Sequence, residues 1–306
     1  MDQLTSTTPL RSPSTVSLRR WAVASLVANM VIVWTGALVR LTKSGLGCAT
    51  WPQCQPGSYV PLPEDGMHGL IEFGNRLLTF ALAAIALGMF LAARRAYRAG
   101  TAPRQLPTLA FCVGLGIIAQ AVIGGVSVLV QLNPWVVGLH MVASVALIGI
   151  CVQLVHLAFD LSPVRVPPRL HLLTTVVFAL GVLIIALGVV VTGAGPHAGD
   201  GAAQRNGLSP DLTAKLHAWA VWAIVAAVAL GLFWAWAEPR ARRLWLGLLA
   251  VILLQGLIGY VQYFTHLPMW MVFAHMVGTT LFAAALSHLF LLTRPGVPGA
   301  AVRPQN

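Results

Sequence analysis

Three histidines occupy equivalent places in long apolar stretches, and their types and spacing are the first sign of chemistry. His140 lies five residues after Trp135, and His275 lies five residues after Trp270. Tryptophan marks the level at which a membrane meets water, so each imidazole sits about 7 to 8 Å below that level on a helix. His217 lies some six residues into a third stretch, at similar depth. Neutral imidazole is a ligand for zinc, copper and iron. A catalytic zinc ion gathers three protein ligands, often beside a carboxylate, whereas His217 and His275 stand alone at this depth in their half of the chain. Two imidazoles on facing helices, with an apolar gap between them, can hold a haem iron from both sides. The competing reading of any one of them is a hydrogen-bonded packing residue. Gly138, Ala143, Ala274 and Gly278 lie close by; they could admit a ring to the backbone or simply serve helix packing.

A second group surrounds Glu72, the only acidic residue well inside an apolar stretch. On a helix Asn75 shares its face, and Arg76 follows at the spacing of an ion pair. Glu72 is then either neutralised by Arg76 or poised beside a substrate, and the first does not exclude the second. His68, two turns before Asn75, could face the same cavity. His156, His171 and His288 read as rings at a membrane interface, and His197 and His266 as residues of loops or span ends. Cys112 and Cys151 read as small core residues.

The elements that must position these residues are membrane helices. The chain has 306 residues, 58% hydrophobic and 9% charged, against about 25% charged in soluble domains. That composition excludes a soluble enzyme, a disordered chain and a disulfide-rich secreted module. Spans of roughly 20 apolar residues are predicted near 21–41, 68–93, 107–131, 135–159, 170–193, 211–237, 243–264 and 269–292. The first is too long in its apolar run for a cleavable signal. Of the 19 Lys and Arg, 14 fall before the first span, after the last, or between spans 2 and 3, 4 and 5, and 6 and 7. Basic residues stay on the cytoplasmic side, so both termini are expected there, in a cell membrane. The net charge of +11 is thereby explained by topology and calls for no nucleic-acid partner. Outer connections at about 42–67 and 194–210 are longer than a turn. Cys48 and Cys54, in the first of them, face an oxidising compartment, where a disulfide or a pair of free thiols is chemically allowed.

An internal repeat organises the whole chain. At an offset of 135 residues, Gln120, Gly124, Trp135 and His140 superimpose on Gln255, Gly259, Trp270 and His275. Earlier in each half, Thr35 and Gly36 resemble Thr192 and Gly193, and Asn75 falls opposite His217 at an offset of 142. The expectation is an all-α integral membrane protein of eight transmembrane helices, arranged as two pseudo-symmetric four-helix bundles. Both halves start on the same side, so the repeat is parallel. The tails are 1–20 and 294–306, and the halves 21–160 and 161–293.

The segment TGALVRLTKSGLGCATWPQC, residues 35–54, with IEFGNR, residues 71–76, and His140, His217 and His275, resembles the haem A synthase family over nearly the whole chain. The resemblance implies a haem b held by His217 and His275 in the C-terminal half, where it relays electrons. It implies haem O as substrate in the N-terminal half, with His140 as its iron ligand and its C8 methyl group oxidised to a formyl group through hydroxylated intermediates. Glu72 matches the family's functional glutamate, and Cys48 and Cys54 its paired cysteines. Asn75 stands where many relatives carry histidine, which implies a substrate haem on His140 alone with a face open toward Glu72. Asn75, Arg76 and Arg40 are candidate substrate-haem contacts, the arginines through propionates or, alternatively, through snorkelling and local ion pairs. Partners expected from the resemblance are haem O, an electron donor, and either haem O synthase or an oxidase assembly factor, with both haem sites toward the outer face. Competing classes are a membrane cytochrome b electron-transfer subunit, a non-enzymatic haem carrier and a transporter. A cytochrome leaves Glu72, the cysteine loop and the unequal first half without a role.

Overall fold

The computed structural model describes residues 13–295. Eight long helices dominate it: α1 (Pro13–Leu41), α2 (Gly66–Arg98), α3 (Gln105–Leu129), α4 (Pro134–Ala158), α5 (Pro168–Ala194), α6 (Pro210–Ala235), α7 (Pro239–Phe264) and α8 (Met269–Leu292). Each is long and apolar enough to cross a membrane, since even the 24 residues of α8 rise about 36 Å. The chain is a multi-pass membrane protein. Observed helices overrun several predicted spans, as α2 carries Arg94, Arg95 and Arg98 and α7 carries Arg240, Arg242 and Arg243. Hydropathy marks the part that meets lipid, while helical hydrogen bonding continues past it. Part of the expected tail, from Pro13 on, therefore belongs to α1; the rest, residues 1–12, and residues 296–306 lie outside the described residues.

Local chemistry explains where helices begin. Pro134, Pro168, Pro210 and Pro239 start α4, α5, α6 and α7, where the missing N–H costs nothing. Asn133, Ser209 and Glu238 accept hydrogen bonds from first-turn amides of α4, α6 and α7, satisfying donors that a helix end leaves open. The repeat is visible in the backbone of the connections between α3 and α4 and between α7 and α8. Gln131 and Leu132, between α3 and α4, have φ of 51° and 57°, and His266 and Leu267, between α7 and α8, have 60° and 59°. The amides of Leu132 and Leu267 each donate to a carbonyl five residues back, Ser127 O and Gln262 O, both at 2.7 Å.

Among the first four helices, α1 packs on α2, α2 on α3, α3 on α4, and α4 back on α1; α5 to α8 close in the same order. The two sets meet through α4 and α1 on α8, and α4 on α5. Small residues permit these approaches. A Cβ on Gly231 would lie 2.0 Å from the buried Trp245 ring, and one on Gly88 2.6 Å from Trp21. At the seam, Trp34 Nε1 donates to Thr280 Oγ1 at 2.9 Å. His156 and His288 also meet there, with Nε2 of the first 2.7 Å from Nδ1 of the second, so they pair with each other instead of snorkelling singly. Beyond α4, the short strand β1 (Val164–Val166) pairs in parallel with β2 (Thr293–Pro295), which follows α8. Three-residue strands leave no periodicity to read in advance.

Gly231→Ala is expected to lower the thermal midpoint of the detergent-solubilised protein, corresponding to about 1 to 3 kcal/mol of overpacking against Trp245. Gly247→Ala, whose Cβ meets nothing within 4 Å, should leave it unchanged or raise it. Equal midpoints for both variants would contradict this packing.

Candidate functional site

Each of the three histidines rests on a glycine of the neighbouring helix. A Cβ on Gly124 of α3 would lie 3.2 Å from the His140 ring of α4, and one on Gly259 of α7 would lie 3.4 Å from the His275 ring of α8. His217 of α6 uses Gly188 of α5 in the same way, at 3.3 Å. The identity of Gly124 and Gly259 in the repeat was the sequence signal for these seats. Gly138 and Gly278 serve helix packing instead: their Cβ positions face Val189 and Gln255.

The Nδ1 atoms of His140, His217 and His275 are buried with no hydrogen-bond partner, although none of the three residues is fully buried. A polar atom sealed in an apolar bundle without a partner is costly. Half-exposed rings with an unpartnered nitrogen fit a planar metal-bearing group as their partner. Among the described residues no three His, Cys, Asp or Glu side chains converge as they would on a single bare ion.

The fourth place in this scheme is different. Asn75 is half-buried, and its Oδ1 is sealed without a partner. In the register that superimposes Thr35 on Thr192, Val31 falls opposite Gly188. Both the fourth imidazole and the glycine that would seat it are replaced.

Next to Asn75, Glu72 and Arg76 anchor the connection between α1 and α2. Glu72 is 5% exposed; its Oε2 accepts from the Cys48 amide at 2.7 Å, and its Oε1 accepts from Arg76 Nε at 3.1 Å and from Nη2. Arg76 donates as well to the carbonyls of Thr50, Gln53 and Cys48. The expected ion pair is present, and the guanidinium is committed to the loop. Cys48 and Cys54 are joined by a disulfide with an S–S distance of 2.04 Å. The loop lays Trp51 on α3, where a Cβ on Gly125 would lie 2.2 Å from its ring, one residue from the seat of His140. Arg40 donates to the carbonyls of His197 and, at 2.8 Å, Thr192, so it ties α1 to the connection after α5. His68 Nδ1 lies 2.9 Å from Ser44 Oγ, and the residue lines a pocket of about 390 Å³ with Lys43, Gly47, Asp65 and Asp200.

Glu72→Ala should release this loop. It leaves Arg76 without its anion and frees the Cys48 amide, and breaking a buried pair costs about 3 to 5 kcal/mol. Faster hydrogen exchange across residues 48–54, with unchanged exchange in α7, is the expected result; unchanged exchange in both would refute the anchoring role.

Comparison with known proteins places this arrangement in a family. The family described as COX15-CtaA, cytochrome oxidase assembly protein, matches residues 19–69 and 62–287. A protein of Geobacillus thermodenitrificans named "Heme A synthase" is 28% identical over 295 residues, covering 90% of this chain and 91% of its own. A protein of the same name from Lysinibacillus sphaericus is 32% identical over 181 residues, 57% of each chain. One from Listeria welshimeri is 30% identical over 152 residues, 47% of each. The matched stretch thus spans about half the length of the latter two relatives. With its eight membrane-spanning helices, the chain belongs to the COX15-CtaA family of cytochrome oxidase assembly proteins, the haem A synthase family.

Proposed function

We propose that this protein acts in haem A biosynthesis as an oxidoreductase, converting the C8 methyl group of haem O to the formyl group of haem A. The observation that carries the reading is the unequal set of seats: three half-open imidazoles on glycines, and Asn75 with Val31 where a fourth would be. Two matched imidazoles suit a permanent electron-transfer group, and a single one suits a substrate that must keep a free face and leave. The relatives named "Heme A synthase" support the same assignment. The four-helix halves, 21–160 for substrate and 161–293 for cofactor, follow from this division.

When bound between His217 and His275, haem b would supply one-electron redox chemistry. The remaining work falls to the chain. His140 would hold the substrate iron, with the ring set against Gly124. The apolar helices exclude water from the pocket. Glu72 and Arg76 close its outer side by holding the disulfide loop, and Glu72 is the acidic group available to receive a proton. On the substrate, each of two successive hydroxylations inserts one oxygen atom of dioxygen into a methyl C–H bond while the other leaves as water with two electrons and two protons from the donor, giving an alcohol and then a geminal diol. Loss of water leaves the aldehyde, so the carbon has lost two hydrogens and gained one oxygen. Arg40 is a candidate propionate partner, because its bonds to Thr192 and His197 leave further N–H donors free. The distribution of 14 basic residues supports a plasma-membrane protein with both termini cytoplasmic and both sites near the outer leaflet. Haem O synthase or an oxidase assembly factor, and an electron donor, are the partners this reaction requires.

His275→Ala is expected to abolish the low-spin haem spectrum of purified protein even when cells make no haem O; an unchanged spectrum would overturn the assignment. In cells supplied with haem O, extracted pigment should contain haem A or its alcohol with the native chain and neither with Glu72→Ala. Unaltered haem A from that variant removes Glu72 from the reaction. Val31 predicts a further asymmetry. Asn75→His combined with Val31→Gly should turn the substrate haem six-coordinate by resonance Raman, while Asn75→His alone should do so less completely. A five-coordinate spectrum from the double variant would contradict the placement of Asn75 opposite the iron.

A further inference from the structure

The repeat preserves one more device, and it acts on the backbone of the histidines instead of their rings. Gln120 Nε2 of α3 donates to the His140 carbonyl of α4 at 3.0 Å, and Gln255 Nε2 of α7 donates to the His275 carbonyl of α8 at 3.0 Å. The same carbonyls accept from the hydroxyls of Ser144 and Thr279, both at 2.9 Å. Each glutamine nitrogen also lies near that hydroxyl oxygen, at 2.7 Å to Ser144 Oγ and 3.4 Å to Thr279 Oγ1. The glutamine Oε1 atoms are buried without partners in both copies. Leaving an amide oxygen unsatisfied is costly, and the chain bears that cost twice, at the same register, to spend the amide nitrogen on one particular carbonyl. Gly278, three residues after His275, is part of the arrangement: a Cβ there would lie 2.1 Å from Gln255 Oε1.

We propose that Gln120 and Gln255 are positioning residues that lock α4 to α3 and α8 to α7 at the level of His140 and His275, and so set how each imidazole meets its iron. The proposal rests on the haem-binding reading above. The amide bridge pins the helix register at the histidine, and Gly124 and Gly259 then fix the ring from the side. Without the bridge the helix can slide or turn while the fold persists, and the ring plane turns with it.

The test uses the full-length protein reconstituted with ferric protoporphyrin IX and follows the low-spin electron paramagnetic resonance signal and the rate of haem transfer to apomyoglobin. Gln255→Met keeps the side chain's length and removes its amide. It should retain haem with a shifted maximal g value and lose it about five- to tenfold faster, the effect of one buried hydrogen bond. Gly278→Ala displaces the same amide without touching it and should reproduce the shift, which decides the question should Gln255→Met fail to fold. An unchanged g value in Gly278→Ala, or in a folded Gln255→Met that is merely less stable, overturns the positioning role. Gln120→Met should weaken only the second equivalent of haem, again about five- to tenfold; equal weakening of both equivalents overturns the local assignment. Retention of the low-spin signal in His275→Ala would instead refute the haem-binding reading itself.

Discussion

Three imidazole nitrogens held without partners in an apolar bundle are the constraint from which the rest of the structure follows. Inside a membrane such groups must be satisfied by something, because neither water nor lipid can do it. The protein builds glycine seats for the rings and glutamine bridges for two of their backbones. On the function proposed above, these devices preorganise the nitrogens for a haem iron.

The asymmetry between the halves is as informative as their likeness. The α3–α4 and α7–α8 pairs keep the same turn, the same glycine seat and the same glutamine bridge. The α1–α2 pair differs from α5–α6 at two linked places, Asn75 for His217 and Val31 for Gly188. The first half also carries what the second lacks: the disulfide loop, anchored by Glu72 and Arg76 and packed through Trp51 against α3. On the function proposed above, the likeness of the halves would serve to hold an iron-bearing plane, and their difference to leave one face of the substrate free.

Much of this was legible in the amino-acid order. Eight apolar runs required eight spans, and the 135-residue offset exposed Gln120 and Gln255 together with His140 and His275 before any geometry was known. Glu72 and Arg76 at helical spacing announced their ion pair. What escaped depended on contacts between distant segments. That Arg76 would spend its donors on loop carbonyls, or that Arg40 would reach the connection after α5, has no local signal. The pairing of His156 with His288 was hidden because each lies in an unremarkable apolar run, and only the packing of α4 on α8 joins them. The glycine seats have no local signal either, because Gly124, Gly188 and Gly259 are distant in sequence from the histidines they face.

The central claim is that His217 and His275 bind one iron from its two sides. Pulsed electron paramagnetic resonance of the low-spin haem in protein carrying nitrogen-15 only in histidine tests it most directly. Couplings from two nitrogen-15 axial imidazoles are the predicted result, falling to one or none when either residue is replaced by alanine. A low-spin haem lacking any nitrogen-15 axial coupling, or keeping both in either variant, would contradict the account.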